Sequence, residues 1–348
     1  MYNKLIVKIL SVTALFLAIF LFIRGVGIYN KAYRANIRTP KGKPVIIYIP
    51  TGSTYQEVLN ILTSGVTVKN MKTLEWTAER KNYKRHIKPG RYKIKNRTSN
   101  NELINKLRAG SQEPVTLTFN NIRFPKELAK KISKQLEPDF YAFDSLFNNK
   151  EYIGSFDFNE YTFACMFIPN SYEFYWNTTA DEFVKRMHKE YEKFWNEKRT
   201  KKAEQIGLTP VEVSILASIV DQETFKNDEK SRIAGVYINR LNRNIRLHAD
   251  PTVKFAVGNF NIKRILKKHL AVNSPYNTYK HGGLPPGPIC YPSVAGIDAV
   301  LNYEKHKYLY FCAKEDFSGY HNFATNLTDH NKNAARYRQA LNKKRIYR

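Results

Sequence analysis

The chain has 348 residues, of which 43% are hydrophobic and 14% aromatic, a composition that excludes an intrinsically disordered protein and leaves room for more than one domain. Its 57 Lys and Arg against 30 Asp and Glu give a formal charge of +27, which favours contact with polyanions such as nucleic acid, anionic lipid or acidic wall polymers without choosing among them. Because the basic residues are spread along the chain, a solvated basic surface is an equally good interpretation. Three widely separated cysteines and the lack of an HExxH pattern give no disulfide framework and no metal motif.

An apolar segment at the N-terminus predicts a membrane anchor. Residues 5–23 (LIVKILSVTALFLAIFLFI) are interrupted only by Lys8, near one end, and are long enough to cross a bilayer as a helix. A cleaved signal peptide is the alternative, but the apolar stretch is long and no A-x-A-like cleavage site follows it. Basic residues lie on both sides of the span, with a small excess after it, so the charge pattern leaves the orientation open. We assign residues 1–24 to a short stub and the anchor.

A linker and a small α+β module are expected next. Residues 25–43 are polar and basic and predict a linker. Residues 44–117 show one pattern twice, an extended apolar run followed by a turn and a helix that opens with a capping box. The capping pairs are Thr54 with Glu57 and Ser99 with Glu102. A third unit of this kind begins near residue 115, and we place the domain boundary between residues 117 and 118.

The most informative helix is predicted to begin after Thr209. Thr209, Pro210 and Glu212 supply an N-cap, a proline at the first helical position and a capping-box acid. The following segment, VSILASIVDQETF, carries an apolar stripe at helical spacing, and Glu223 falls at the end of that stripe. Burial there disfavours the charged carboxylate and raises its pKa, as a group requires if it is to donate a proton near neutral pH. Asp221 falls on a face of small and polar residues, where we expect it to be solvated and ionised.

A structural role is the alternative for Glu223. Arg232 and Arg240 follow on the next predicted helix and are available to hold its carboxylate in an ion pair. Structural ion pairs also perturb pKa values, so the position on the helix leaves both interpretations open.

Motifs around this helix carry a family resemblance. In chain order they are FIPNSYEF (167–174), ET (223–224), RIAGVYINRL (232–241), RLHADPTV (246–253), YNTY (276–279), GLPPGPI (283–289), YLYF (308–311) and HNFATNLTDHN (321–331). Several motifs in one order are far more specific than any single motif. Over roughly residues 45–341 the chain resembles the MltG-like (YceG-like) endolytic murein transglycosylases.

The resemblance implies an α+β fold class with three parts. These are an N-terminal transmembrane helix, a small LysM-like α+β subdomain over residues 44–117, and a mixed α/β catalytic domain over residues 118–348 with a central catalytic helix. The family has one essential glutamate, which maps to Glu223. Many relatives carry Glu where this chain has Asp221, a departure that favours Glu223 as the catalytic residue.

The implied activity needs a single carboxyl group. Ordinary glycosidases use two carboxyl groups, one of them as nucleophile or as the base that activates water. In lytic transglycosylation of the MurNAc–GlcNAc β-1,4 bond, the sugar's own 6-hydroxyl attacks the anomeric carbon and leaves a 1,6-anhydro-MurNAc end. Glu223 would protonate the glycosidic oxygen and then take the hydroxyl proton. No cofactor and no metal are expected.

Motif membership also implies a set of substrate-binding residues, whose hydrogen-bonding groups and aromatic rings suit a glycan. The predicted set is Tyr172, Glu173, Asp250, Tyr276, Asn277, Thr278, His321 and Asn326. For Asp250, which precedes Pro251, a helix cap is the preferred interpretation.

The resemblance implies peptidoglycan strands and the membrane as partners, with peptidoglycan synthases as further candidates. It places the protein in the bacterial cytoplasmic (inner) membrane, single-pass, with the catalytic domain on the periplasmic or extracytoplasmic side, where it would release or terminate new glycan strands. The rival hypothesis is a non-catalytic, membrane-anchored peptidoglycan-binding protein. A membrane-tethered nucleic-acid binder has no recognised module in its favour, so nucleic acid is not an expected partner.

Overall fold

The computed structural model describes residues 2–262 and 265–344, with side chains from residue 5 onward. The chain forms two compact units. The first contains the residues up to 116 together with 135–137 and 173–178, and the second contains 117–134, 138–172 and the residues from 179. Helices and short strands occur in both units, so the predicted mixture of α and β structure is confirmed.

The N-terminal helix, α1 (Tyr2–Tyr33), is long and apolar enough to cross a membrane, and its large apolar side chains are exposed. The predicted span lies wholly inside it. The linker predicted over residues 25–43 is wrong in its first part, because the helix continues to Tyr33. Asn100 Nδ2 donates to the Lys31 carbonyl oxygen at 2.9 Å and Asn100 Oδ1 accepts from Asn36 Nδ2 at 2.7 Å, which ties the end of α1 to the first unit.

The first unit is a small sheet covered by helices. Its elements are β1 (Ile37–Arg38), β2 (Val45–Ile49), α2 (Tyr55–Gly65), β3 (Thr67–Val68), α3 (Met71–Arg80), β4 (Gly90–Ile94) and α4 (Asn100–Ala109). β2 pairs antiparallel with β4, from Val45 opposite Ile94 to Ile49 opposite Gly90, and β1 pairs with β3. Inward side chains of the β2–β4 pair join apolar residues of α2, α3 and α4 in one core.

Helix starts in this unit follow the predicted chemistry. Thr54 and Glu57 form the complete capping box, and Ser99 accepts the N–H of Glu102. Helix α4 ends at Gly110, whose φ of 73° lies in the left-handed region that glycine adopts without strain. Helix α3 was not predicted, so two helices, rather than one, separate β2 from β4.

The second unit is mainly helical. Its elements are β5 (Val115–Thr118), which enters it from the first unit, α5 (Pro125–Ile132), α6 (Phe140–Phe147), α7 (Lys150–Gly154), β6 (Ser171–Phe174), α8 (Ala180–Phe194), α9 (Glu197–Gln205), α10 (Pro210–Glu223), α11 (Asn227–Leu241), α12 (Asp250–Val257), α13 (Lys267–Leu270), α14 (Val294–Leu301), β7 (Tyr310–Ala313), β8 (His321–Ala324) and α15 (Leu327–Lys343). β7 and β8 form an antiparallel hairpin with Tyr310 opposite Ala324 and Ala313 opposite His321.

Helix α10 lies in the core of this unit. Its predicted start is confirmed, because Thr209 and Glu212 form a capping box with Pro210 in the first turn. The sequence predicted one apolar stripe on this helix, but every residue from Val213 to Val220 is buried, so the helix is buried on all sides there. The two buried serines in this run bond internally, Ser214 to the Pro210 carbonyl and Ser218 to the Ile215 carbonyl, and so remain compatible with burial. Helices α11 and α14 pack against it.

Candidate active site

Glu223 is the last residue of α10, so the buried helix delivers its carboxyl group to the point where the core opens to solvent. The hydroxyl of Tyr237, from α11, donates a hydrogen bond to Glu223 Oε1 at 2.6 Å. Tyr237 is 1% exposed, and burial with the nearby Glu223 charge holds its pKa well above its usual value. Its hydroxyl therefore stays protonated and acts as a fixed donor.

Burial raises the pKa of the Glu223 carboxyl group to about 7. Loss of hydration is the largest cause, and it disfavours the charged form. The hydrogen bond from Tyr237 lowers the pKa, the charge of Asp250 raises it, and that of Lys254 lowers it. Desolvation prevails over the stabilising hydrogen bond, so a substantial fraction of the group is protonated at neutral pH.

The ion pair that the sequence left open for Glu223 is not formed. Arg232 pairs with Glu304 at 2.9 Å. Arg240 donates to the carbonyl oxygens of Arg246, Leu247 and Leu309, at 2.6–2.9 Å. Among the described residues, no Lys, Arg or His forms a salt bridge with Glu223, and its carboxyl group lines a cleft.

A cleft of about 500 Å³ opens at Glu223. It lies between α11, the start of α12, the β7–β8 hairpin and α15. The polar and aromatic side chains that line it are Glu223, Tyr237, Arg240, His248, Asp250, Tyr279, Tyr310, Phe311, His321, His330 and Tyr337. Aromatic faces beside hydrogen-bonding groups are the usual lining of a site for a polar ring compound.

Asp250 brings a second carboxylate to the same cleft, and the prediction that it caps a helix is wrong. The N-cap residue of α12 is Ala249, and Asp250 is the first residue inside the helix. Its Oδ1 instead accepts a hydrogen bond from the Tyr279 hydroxyl at 2.7 Å, and the Tyr279 ring stacks on His248 at 4.6 Å. The side chain is thus held toward the cleft by a partner 29 residues away.

Asp221 differs from its predicted environment. We expected it to be solvated, but its side chain is 10% exposed and bonds to Lys230 Nζ at 2.7 Å. It also accepts from the backbone and hydroxyl of Ser293 at the start of α14, at 2.7 and 2.8 Å. A Cβ on Gly296 would lie 2.6 Å from Asp221 Oδ1, so α14 packs directly on the carboxylate. Asp221 is a structural link between α10, α11 and α14.

Of the predicted substrate-binding residues, the cleft lining includes Asp250 and His321. The others are placed elsewhere and mostly bond within the protein. Tyr172 donates to the Ile168 carbonyl, Tyr276 packs on Phe255, Asn277 donates to the Leu270 and Val272 carbonyls, Thr278 bonds to Ala249 and Thr252, Asn326 caps α15, and Glu173 is exposed on β6. Asn277 and Thr278 therefore shape the loop that carries Tyr279.

Sequence reasoning missed several residues of the cleft. Tyr237 and Arg240 lie in the motif RIAGVYINRL, three residues apart and therefore on one face of α11, a spacing that was available as a signal. Tyr279 and Tyr310 gave no such signal, because their approach to Glu223 depends on loop and hairpin contacts distant in the chain.

A carboxyl group that is partly neutral at pH 7, hydrogen-bonded on one oxygen and open to a cleft, has the properties that general acid–base catalysis requires. The chain belongs to the YceG-like family, whose model matches residues 47–336. This confirms the resemblance seen in the sequence.

Named relatives agree with this membership. A Streptococcus pneumoniae protein named endolytic murein transglycosylase is 29% identical over 330 residues, which cover 85% of this chain and 58% of that protein. The Bacillus subtilis protein of the same name is 26% identical over 341 residues, 93% of each. The chain thus spans little more than half of the pneumococcal relative. The crystal structure of a YceG-like protein from Listeria monocytogenes matches 84% of this chain and 99% of that one, with a TM-score of 0.54 and 25% identity.

Replacing Glu223 with Gln should stabilise the protein at high pH. A carboxyl group with a pKa of about 7 when folded and about 4.5 when unfolded binds more protons in the folded state between these values, so stability falls as the pH rises through that window. Glutamine keeps an acceptor for Tyr237 without the charge. Thermal unfolding should show similar stabilities at about pH 4 and a variant more stable by up to about 3 kcal/mol at about pH 8. Equal stability at the higher pH would contradict the raised pKa.

Proposed function

We propose that the protein is an endolytic lytic transglycosylase that cleaves the MurNAc–GlcNAc β-1,4 bond of peptidoglycan and leaves 1,6-anhydro-MurNAc ends. The observation that carries this proposal is the Glu223 carboxyl group, which has a pKa of about 7, forms no ion pair among the described residues, and faces a cleft of about 500 Å³. The relatives named endolytic murein transglycosylase support the choice of substrate.

The mechanism uses Glu223 twice. In the protonated form it donates its proton to the glycosidic oxygen as the bond to the anomeric carbon breaks. The resulting carboxylate then accepts the proton of the sugar's 6-hydroxyl, whose oxygen bonds to the same anomeric carbon. No water is consumed, and Glu223 returns to its starting protonation state. Tyr237 stabilises the carboxylate formed between the two steps, and it fixes the direction in which the carboxyl group points.

Asp250 and His321 are the predicted binding residues that we propose contact the glycan, because both line the cleft. The negative charge of Asp250 also helps to keep the proton on Glu223 and is placed to stabilise positive charge that develops at the anomeric carbon. For Asn277 and Thr278 we propose an indirect role, since their polar groups hold the loop of Tyr279.

We further propose that α1 anchors the protein in the bacterial cytoplasmic membrane, with both compact units on the extracytoplasmic side, where the wall polymer is. The order β2, α2, β3, α3, β4 in the first unit, with β2 paired antiparallel to β4 across two helices, supports a LysM-like glycan-binding module. A shallow hollow of about 350 Å³ lies on this unit, over the turn before α2. Peptidoglycan strands are the proposed partner, with wall synthases as further candidates.

The full-length protein should release anhydromuropeptides from purified peptidoglycan. Glu223→Gln should lower the initial rate by roughly 10³-fold, in the range expected for loss of a general acid and base. The matched control Glu204→Gln, which changes an exposed acid on α9, should retain the wild-type rate. Mass spectrometry separates the products, since an anhydro end is one water lighter than a reducing end.

Other products would contradict this proposal in different ways. Reducing ends without anhydro ends would indicate hydrolysis, with Asp250 acting as the second carboxylate. Binding to insoluble peptidoglycan without any cleavage would favour a non-catalytic wall-binding protein.

Tyr237→Phe and Asp250→Asn should move the alkaline limb of the pH profile in opposite directions. Because Glu223 must be protonated to act, kcat/KM should fall as the pH rises through its pKa of about 7. Removing the Tyr237 hydrogen bond raises that pKa and moves the limb to higher pH, whereas removing the Asp250 charge lowers it and moves the limb to lower pH. Initial rates across the neutral range test this, and shifts of the same sign in both variants would count against Glu223 as the titrating acid.

Trypsin added to intact protoplasts should degrade the chain beyond α1 if both units lie outside the membrane, because Arg34 and Arg38 follow the helix and basic residues continue through the chain. A C-terminal epitope should disappear before lysis. Its protection until lysis would reverse the proposed orientation.

A further inference from the structure

A buried carboxylate, Glu229, lies outside the mechanism described above and contacts His321, which lines the same cleft. It lies in the first turn of α11, and its side chain is 4% exposed. Both oxygens are used by one residue of the β7–β8 hairpin: Oε1 accepts the backbone N–H of His321 at 2.9 Å, and Oε2 lies 2.7 Å from the His321 ring Nδ1. Burial of a carboxylate is costly unless its oxygens are bonded, and here one histidine satisfies both.

The contact determines how His321 presents its ring. A carboxylate only accepts hydrogen bonds, so the proton lies on Nδ1 and the second nitrogen, Nε2, is left as an acceptor in the neutral ring. Nε2 makes no hydrogen bond to any described residue, and His321 lines the cleft of Glu223. The ring also packs edge to face on Phe311 at 5.2 Å, and Phe311 packs in the same way on Tyr237 at 5.8 Å. The imidazole is therefore fixed in position.

The other two histidines of the cleft differ from His321. Burial and the nearby Arg240 lower the pKa values of His248 and His330, and neither shows a bond to a carboxylate among the described residues. His248 instead stacks on Tyr279 and His330 on Tyr310. Among contacts of the described residues, a carboxylate bonds to a ring nitrogen of His321 and of neither other cleft histidine.

We propose that Glu229 is a positioning residue that holds His321 in its Nδ1-protonated tautomer, so that Nε2 accepts a hydrogen bond from a hydroxyl or acetamido N–H of the bound glycan. This deepens the proposed function and rests on it for the identity of the sugar. One helix then orients both sides of the cleft, with Tyr237 on Glu223 and Glu229 on His321, eight residues or about 12 Å apart along α11.

Binding of a sugar that is not cleaved tests this proposal independently of activity. In the full-length protein carrying Glu223→Gln, the Kd is measured for a tetrasaccharide of alternating GlcNAc and MurNAc. The amide of His321→Asn lies near the position of Nδ1 and leaves nothing at Nε2, whereas the longer His321→Gln places an acceptor near Nε2. We expect binding about tenfold weaker for Asn and within about threefold of the parent for Gln, since a tenfold change in Kd corresponds to about 1.4 kcal/mol, which lies within the range for one hydrogen bond.

Glu229→Gln should act through the same histidine. Its amide group presents an N–H toward either the ring or the backbone of His321, which removes the fixed tautomer and should weaken binding by about tenfold. Adding Glu229→Gln to His321→Asn should cause no further loss, because the group it positions is already gone. The matched control is Glu304→Gln, which breaks an exposed ion pair to Arg232, a residue of α11 like Glu229. This variant should bind as the parent does.

Losses that multiply in the double variant, or unchanged binding by His321→Asn, would overturn the proposal. The ring ¹⁵N shifts of His321, assigned by comparison with His321→Gln, should show a protonated Nδ1 that is lost in Glu229→Gln even without sugar. A protein that binds the tetrasaccharide through His321 but yields no anhydro ends before Glu223 is replaced would refute the proposed function and leave the role of Glu229 intact.

Discussion

The acidity of the cleft depends on the loss of hydration at one carboxyl group, that of Glu223. Helix α10 is buried on every side from Val213 to Val220. Glu223 is its last residue and lines the cleft. One strong hydrogen bond from Tyr237 opposes the desolvation without cancelling it, because a single neutral donor replaces only part of the water a carboxylate loses. The pKa therefore settles near 7, where one group can both give and take a proton. A lysine or arginine in place of that donor would have held the proton off.

Two acids on one helix show how position decides their roles. Asp221 and Glu223 are two residues apart, so they point about 200° apart around α10. The oxygens of Asp221 bond to Lys230 and to Ser293 at the start of α14. Glu223 accepts a hydrogen bond from Tyr237 and lines the cleft. The sequence predicted different surroundings for the two acids but placed Asp221 in solvent, whereas in the structure Asp221 is buried against Lys230.

Local signals in the chain predicted several helix starts, while contacts between distant segments determined the site. Capping boxes at Thr54 and Thr209 located two helix starts, and the helical stripe placed Glu223 at the buried end of α10. Capping boxes and helical spacing both depend on residues no more than four positions apart in the chain. Asp250 shows the limit: the dipeptide Asp-Pro is a typical helix start, yet its partner is Tyr279, and only the folded loop reveals that bond. His321 likewise acquires its orientation from Glu229, which lies 92 residues earlier.

The junction at the end of α1 has a mechanical consequence. Because Asn100 bonds to the Lys31 carbonyl and to Asn36, the end of α1 is held to the rest of the first unit by hydrogen bonds. Residues 24–33 continue the helix past the predicted span and add about 15 Å at 1.5 Å per residue. These residues are part of one continuous helix, so the extension is rigid. If α1 crosses a bilayer as proposed, this extension fixes the distance between the first unit and the lipid surface and limits the tilt of that unit.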